Sequence, residues 1–506
     1  MSITSREMRA LELNSEYFGV SRLQLMENAG RGVAEEILTR FKPEKANVAL
    51  FCGLGGNGGD GFVTARHLAS RGFKSVVILA GKSRNITDEE ARKNWFALQS
   101  LKNVISLHEA YDSSIIPSVE ANVVVDALLG IGLEGAPRPP ISQMIKRINE
   151  SKAFCVAVDV PTGVNSDTGE ILGEAVTADL TVTFHRTKPA FDKADAQVGE
   201  LVIKKIGLPE EIERFAGPGD VRMAIKKRSA KAHKGDFGRL LVIGGSETFS
   251  GAPTLVALAA LRAGVDVAYI AAPHTTAHAI SSMSPDLITV KMEGDYLNAG
   301  NVSVIHRHLK NSTAVVMGPG LGLHKDTRDA VKDIVKMVEE RKTPLVLDAD
   351  GLKAFAEFKR KVGSPLTVTP HAGEYKLLTG HVPPEDLNER AEDVRKTADN
   401  LNAIMVLKGN TDIISDGTRV KLNFTGNPGM TVGGTGDVLS GVIGAFLAWG
   451  SNPFEAAVAA SFINGAAGDF VSEEKGYHMV PTDLLEWIPE VMDDPMSHLQ
   501  VRRSAT

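Results

Sequence analysis

Short apolar runs that stop abruptly at glycine or aspartate recur along this chain, and helical patterns fill the gaps between them. The first half offers NVALFCG, SVVILAG, NVISL, NVVVDALLG and FCVAVDVP, separated by helical stretches such as FVTARHLASRG and TDEEARKNWFALQSL. A second series opens with GRLLVIGGS at Gly238 and runs through VAYIAAP, AVVMGPG, PLVLDADG, PLTVTP and AIMVLKG. Runs this short and apolar suit strands buried on both faces. Their alternation with helices predicts parallel sheets covered by helices on each side. The opening forty residues read as two further helices, with Leu23, Met26, Ala29 and Val33 along one face.

Two complete series in 506 residues are too much for one core, so the expectation is two α/β domains, 1–217 and 223–506. Between them lies FAGPGDVRMAIKKRSAKAHKGD, turn-rich and charged, as a domain boundary should be. Its basic run, Lys226 to Lys234, reads either as a solvated linker or as a source of phosphate contacts through Lys234. Net charge is −6, which argues against wholesale capture of nucleic acid. Cys52 and Cys155 are the only cysteines, excluding a disulfide framework and a cysteine zinc site. No uninterrupted apolar run approaches about 18 residues, so no membrane span is expected. MSITSREMRALELN has no apolar signal core, and the expected location is cytoplasmic.

GLGGNGGDG, Gly53 to Gly61, follows a strand and precedes a helix. Gly53, Gly55 and Gly58 satisfy G-x-G-x-x-G, but that fingerprint also wants an acidic residue ending the next strand, which here reads VVILAGKS. An ordinary dinucleotide mode is therefore not expected. GKS is no P-loop either, because Val76 stands where the upstream glycine belongs. What remains is Asn57 and Asp60 among glycines, where backbone N–H groups, an amide and a carboxylate can converge; the bland alternative is a tight turn closing a helix onto the sheet. Two more strand ends add Asp126, followed by the glycine loop Gly130–Ala136, and Asp159 with Thr162. Ligands of open α/β sheets bind outside the carboxyl ends of the strands, so these residues define one polar pocket. Its oxygen donors suit a hard cation rather than zinc. Each aspartate alone can equally be a helix cap.

NGGDG, DALLGIGLEG and DVPTGV, in that order, resemble the NAD(P)H-hydrate epimerase domain, over roughly residues 1 to 217. The resemblance implies a Rossmann-like three-layer α/β/α fold. It implies that Gly56, Asn57, Gly58, Gly59 and Asp60, then Gly130, Ile131, Gly132, Leu133, Glu134, Gly135 and Ala136, and Asp159 contact a hydrated nicotinamide nucleotide. It further implies a potassium ion on Asn57, Asp126 and Thr162. Such domains interconvert the R and S forms at C6 of the hydrated ring, which asks for a proton-shuttling group; Asp159 is the candidate. Two positions depart from the usual pattern: Gly56 replaces a second Asn, and Thr162 stands where Ser is common but keeps the hydroxyl.

GNPGMTVGGTGDVLSG, Gly426 to Gly441, sets six glycines around one aspartate ahead of an apolar helix pattern. A glycine turn feeding a helix N-terminus is an anion site. Asp437 can then be a helix cap, a magnesium ligand, or a general base acting while the Gly433–Gly436 amides hold a departing phosphoryl group. GGTGD resembles the phosphate-binding signature of ribokinase-like α/β/α folds. With HKGDFGRLLVIGGS, SGAPTLVALAALRAG, GPGLG, LDADGL, TPHAGE and LKGNTD it resembles the ADP- or ATP-dependent NAD(P)H-hydrate dehydratases, over about residues 225 to 495. The resemblance implies that Ala252, Gly320, His371 and Asp437 touch the hydrated substrate. Lys408, Gly409, Asn410, Thr411, Asp412 and Gly436 would hold the adenine nucleotide, and Glu374 would organise Mg2+ through water. Read without it, His371 is a surface residue, Glu374 begins a helix and Lys408 ends a strand. Asp348 and Asp350 read as structural.

These resemblances imply a bifunctional repair enzyme for hydrated NADH and NADPH. Phosphorylating the C6 hydroxyl makes it a leaving group, and the ring nitrogen then expels phosphate. The fused arrangement looks like the prokaryotic branch, implying ADP as donor with AMP and phosphate as products, and the family implies a homo-oligomer. The main alternative is a ribokinase-type small-molecule kinase with a nucleotide-sensing N-terminal domain.

Overall fold

The first series of apolar runs pairs into a seven-stranded sheet in which each strand is parallel to its neighbours. Its strands are β1 (Asn47–Cys52), β2 (Lys74–Leu79), β3 (Ile105–Glu109), β4 (Val123–Ala127), β5 (Phe154–Val158), β6 (Leu180–Phe184) and β7 (Glu200–Lys204), in the order β3-β2-β1-β4-β5-β6-β7. The computed structural model describes residues 2–118, 120–133 and 135–504. By internal contacts the chain divides into two units, Met1–Ile212 and Glu213–Thr506.

Period-2 alternation puts β1 between two cores. Val48, Leu50 and Cys52 pack on one side with Val33, Ile37, Phe62 and Leu68. Ala49 and Phe51 pack on the other with Met144, Ile145 and Ile148. The first unit is thus the expected three-layer α/β/α sandwich. Its first two helices, Ser5–Tyr17 and Arg22–Arg40, each start at a capping box, Thr4 with Glu7 and Ser21 with Gln24. Leu25, Met26, Ala29 and Val33 form the buried face of the second, whereas Leu23, expected on that face, is exposed. The glycine run is a helix rather than a loop: Gly56–Ser70 starts at its second consecutive glycine. A Cβ on Gly61 would come within 2.7 Å of Ala127 Cβ and of Cys52 Sγ, so glycine here lets this helix lie directly on the sheet.

Beyond the five strands visible in the sequence, β6 and β7 complete the sheet. LTVTF carries two threonines, yet all five residues are buried. Thr181 Oγ1 donates to Val198 O at 2.6 Å, and Thr183 Oγ1 donates to Asp159 Oδ1 at 3.0 Å.

The second unit holds a nine-stranded sheet, ordered β10-β9-β8-β11-β12-β13-β14-β15-β16. Its strands are β8 (Arg239–Ile243), β9 (Val267–Pro273), β10 (Ile288–Met292), β11 (Ala314–Met317), β12 (Leu345–Leu347), β13 (Leu366–Val368), β14 (Ile404–Leu407), β15 (Asp412–Ser415) and β16 (Val420–Asn423). All pairings are parallel except β14–β15 and β15–β16, so the sheet is mixed, with an antiparallel edge. The apolar helix Thr435–Ala448 crosses the helix Gly251–Arg262 closely: a Cβ on Gly441 would sit 2.3 Å from Val256 O.

The segment read as linker is only partly one. Pro218–Ala224 is a helix with Pro218, Gly219, Asp220, Val221 and Ala224 buried. Ala216 N donates to Leu422 O at 2.9 Å, and Lys421 Nζ lies 2.8 Å from Asp220. Residues 213–217 therefore pack with the second unit. The basic run behind them is exposed and leads into the N-terminal end of β8, the sheet edge opposite the one where parallel strands present ligand sites.

Candidate active sites

In the first unit the strand order reverses between β1 and β4, and a crevice of about 650 Å³ opens beyond their carboxyl ends. Gly56, Asn57 and Asp60 on the glycine helix, Gly130, Ile131 and Gly132 after β4, and Asp159 after β5 all line it. Gly58 and Gly59 do not. A Cβ on Gly58 would meet Gly53 O at 2.0 Å, and one on Gly59 would meet Met26 Cε at 2.6 Å, so both point into packing. Leu133, Gly135 and Ala136 are not in the lining either, and Glu134 lies outside the described residues.

Behind this wall lies a compact polar knot. Thr162 Oγ1 donates to Asp126 Oδ1 at 2.6 Å, and Thr162 N donates to Asp126 Oδ2 at 2.8 Å. Leu129 N donates to Thr162 Oγ1 at 3.0 Å, tying the knot to the glycine loop. Burial pushes the Asp126 carboxyl up to about 6, and the bonds from Thr162 hold it from rising further. Asn57 Nδ2 is buried without a hydrogen-bond partner among the described residues, and its Oδ1 faces Gly130, where a Cβ would stand 3.1 Å away.

Asp159 is held at φ 64, in the left-handed region. Its Oδ1 lies 2.8 Å from Lys188 Nζ, and Lys188 is buried. Lys188 Nζ also donates to Thr183 Oγ1 at 3.1 Å and to Phe184 O at 3.2 Å, so the ammonium is satisfied as well as paired. Sequence reasoning missed Lys188, because β6 went unread and a lysine before Pro189 looks like a surface residue. Glu12, on the first helix, was missed as well; it lines the same crevice. Burial pushes its carboxyl up to about 7, with Arg22 opposing and Asp159 adding to the rise. Burial also drives Asp60 well above the usual carboxylate range, with Asp159 and Glu12 adding to it.

In the second unit four residues follow the carboxyl ends of successive strands: Gly320 after β11, Asp348 after β12, His371 after β13 and Lys408 after β14. A Cβ on Gly320 would lie 3.5 Å from that of Ala252, which sits in the first turn of the helix after β8. The two therefore lie together beyond the carboxyl ends of β8 and β11, where the strand order of this sheet reverses. Gly434, at φ 111, caps the helix Thr435–Ala448 with no side-chain bond, and Asp437 is the third helical residue. Asp437 is not the cap. Its carboxylate makes no hydrogen bond among the described residues; burial, reinforced by Asp348 and opposed by Lys408, pushes it up to about 7.

Lys408 Nζ donates to Asp348 Oδ1 at 3.0 Å, and Ser440 Oγ donates to Asp348 Oδ2 at 2.7 Å. Burial works against the Asp348 carboxylate, but Lys408 and Ser440 outweigh it and hold the carboxyl below its usual range. Lys408 is likewise penalised by burial, yet Asp348 and Glu374 raise it. His371 caps the helix Ala372–Thr379: its Nδ1 accepts from Gly373 N at 3.0 Å, and Glu374 Oε2 accepts from His371 N at 3.1 Å. The ring is thus fixed, with Nδ1 as acceptor and the proton on Nε2. Glu374 is buried in that capping box. In the β14–β15 turn, Asp412 accepts from Gly409 N and from Asn423 Nδ2, both at 3.1 Å, so it braces the turn while Gly409 and Asn410 are exposed.

A further anchor escaped the sequence reading. Asp469 accepts from Gly426 N and Asn427 Nδ2, both at 2.9 Å, and lies 3.0 Å from His498 Nε2. Asn427 Oδ1 in turn accepts from Gly429 N at 3.0 Å. The segment entering the glycine turn is therefore pinned to two helices. The only signal was an acidic residue inside the apolar stretch FINGAAGDFV.

Comparison with known proteins places the two units in two families. Residues 240–490 match a family model described as NAD(P)H-hydrate dehydratase, and residues 22–190 match one described as YjeF-related protein N-terminus. The chain is 46% identical over 497 residues to the bifunctional NAD(P)H-hydrate repair enzyme of Pyrobaculum aerophilum, covering 97% of this chain and 98% of that protein. It is 44% identical over 504 residues to the one from Hyperthermus butylicus, covering 98% and 93%. A solved ADP/ATP-dependent NAD(P)H-hydrate dehydratase from Bacillus subtilis, co-crystallised with ATP and Mg2+, is 27% identical; the match covers 55% of this chain and 97% of that one, with a TM-score of 0.47.

Proposed function

This chain belongs to the family of bifunctional NAD(P)H-hydrate repair enzymes, and from that membership we infer how its two sites divide the reaction. The chain repairs hydrated NADH and NADPH: its N-terminal part is the epimerase and its C-terminal part the dehydratase. The epimerase works in the crevice lined by Asn57, Asp60 and Asp159, where it interconverts the two forms at C6. The dehydratase works along the glycine turn, where it takes the S form.

The observation that carries the dehydratase reading is the placement of Asp437, a carboxylate without a hydrogen bond one residue beyond the glycine turn and close to Lys408. Phosphoryl transfer is mainly positioning and electrostatic stabilisation. Asp437 takes the proton of the C6 hydroxyl as its oxygen attacks the terminal phosphoryl of ADP. The turn amides and Lys408 stabilise the charge that builds up on that group. The ring nitrogen then pushes out phosphate, a proton leaves C5, and NAD(P)H is restored beside AMP and phosphate. ADP is the donor because the two domains are fused, a trait of the branch that uses it. Ala252, Gly320 and the fixed ring of His371 receive the substrate, and the exposed Gly409–Asn410 turn meets the nucleotide.

Among the described residues no group of three or more His, Cys, Asp or Glu could hold a metal. Mg2+ here would ride on nucleotide phosphates and water, its usual habit, and neutralise their charge. Potassium fits the first unit better: Asp126 and Thr162 supply buried oxygen atoms, one of them a carboxylate that burial otherwise disfavours, and Asn57 turns its Oδ1 toward the Gly130 loop. A cation there would neutralise Asp126 and stiffen the Gly130 loop. A cytoplasmic homo-oligomer completes the reading.

Incubation with mixed R and S hydrates of NADH and ADP, followed by dihydronicotinamide absorbance, tests it. Full conversion is expected. No regenerated NADH would refute the dehydratase, and a halt once the S form is spent would refute the epimerase.

A further inference from the structure

The epimerase crevice contains carboxyl groups in two different situations. Asp159 is paired with Lys188 at 2.8 Å. Asp88 is paired with Arg22 at 2.9 Å and caps a helix through Ala91 N. Glu12 and Asp60 line the same crevice, and neither carboxyl makes a hydrogen bond or salt bridge among the described residues. Asp60 rides on the glycine helix with Gly56 and Asn57, whereas Glu12 comes from a separate element, the helix Ser5–Tyr17.

Inversion at C6 sets a demand that one group cannot meet. The carbon carries a hydroxyl and adjoins the ring nitrogen, so in the route that keeps the ring closed the C6–O bond breaks on one face and forms again on the other. The departing oxygen needs a proton, and the arriving water must lose one. With the ring held still, those two transfers occur on opposite faces and need two groups, whose roles exchange in the reverse direction.

We propose that Glu12 is a catalytic residue of the epimerase, the second proton-transferring group beside Asp159. This rests on reading the crevice as the epimerase site. Glu12 gives its proton to the C6 hydroxyl; the C6–O bond breaks, water departs with the bonding pair, and the N1 lone pair forms the C6=N1 bond. Water adds to C6 from the other face, its proton passes to the Asp159 carboxylate, and the C6=N1 pair returns to nitrogen. The opposite epimer leaves with Glu12 ionised and Asp159 protonated. A passage in the reverse sense, or exchange with solvent, resets them. The charged groups that face Glu12 are Arg9 on its own helix, Arg22 on the second, Asp60 on the glycine helix, and Asp159 with Lys188. Their balance leaves a carboxyl that exchanges its proton near neutrality, where general acid–base transfer is most effective.

The test uses the full chain carrying Glu12→Gln, which keeps the side chain's volume. R-to-S conversion is followed directly by NMR with the uncatalysed rate subtracted, and dehydration of pure S hydrate serves as an internal control of folding. The expected result is a loss of about 100-fold or more in kcat for epimerisation with KM within a few-fold, partial activity in Glu12→Asp, and disappearance of the kcat/KM limb near neutral pH. Glu12→Gln retaining more than a tenth of wild-type kcat would overturn the proposal. Asp159→Asn separates the two levels: if it is inactive while Glu12→Gln is active, only the role of Glu12 falls. If both epimerise like wild type, the crevice is not the site.

Discussion

Lys408 Nζ lies 3.0 Å from Asp348 Oδ1 and is close enough to the glycine turn that a Cβ on Gly436 would stand 3.2 Å from it. The aspartate is buried and holds the ammonium under the turn, as the proposed phosphoryl contact requires. Positioning is also why it is costly to disturb.

Lys408→Met should leave Asp348 buried with only the hydroxyls of Ser440 and Thr369 beside it, and destabilise the second unit by roughly 3 kcal/mol. Lys408→Met with Asp348→Asn should recover much of that in urea melts while dehydratase activity stays lost. If the double variant is no more stable than the single, the pair is not what holds this region.

Asp437→Asn should abolish dehydration and leave nucleotide binding largely intact. Its raised carboxyl also predicts a pH effect. Protonation of Asp437 favours the fold, so its contribution is intact below about 4 and lost as pH rises toward about 7. At pH 8 the Asn variant should therefore be more stable than wild type by about 1 to 3 kcal/mol, with little difference at pH 4. In the wild type, kcat/KM for dehydration should climb through neutrality as the base ionises.

The Asp126 carboxyl, raised to about 6, carries the same sign. Without potassium, the first unit should lose stability as pH rises from about 4 through 6. Potassium should restore it at pH 8 and do little at pH 4, as read by melting temperature in potassium against choline chloride. Asp126→Asn should remove the ion's effect. An identical potassium response in that variant would place the ion elsewhere.

Asp469→Ala should free Gly426 and Asn427 and loosen the entry to the glycine turn. A drop in dehydratase kcat of about 10- to 100-fold is expected, with R-to-S conversion in the other unit unchanged. Unchanged kcat would show that the turn holds its shape without this anchor.

Most of the architecture could be read from the chain because its apolar runs are too short for helices and are bounded by glycine and aspartate, as buried strands are. The strands that escaped notice broke that rule for local reasons. β6 alternates threonine with apolar residues, and its hydroxyls are satisfied inside the fold by Val198 O and Asp159. β15 and β16 are short and half polar, as suits an antiparallel edge. Motif residues were legible where position depends on spacing along the chain, as with Asp437 directly after the glycine turn. Lys188, Glu12 and Asp469 were not, because what matters about them is burial and partners far away in sequence.

The backbone at Asp159 bears on how this site should be probed. A left-handed φ of 64 is tolerated by aspartate, asparagine and glycine but costs other residues about 1 kcal/mol or more. An alanine scan would therefore overstate the chemistry at this position, since Asp159→Ala removes a carboxylate and strains the main chain together. Asparagine, keeping the conformation and most of the shape, is the variant whose kinetics report on the charge alone, and any ranking of the crevice residues by alanine loss would put this one too high.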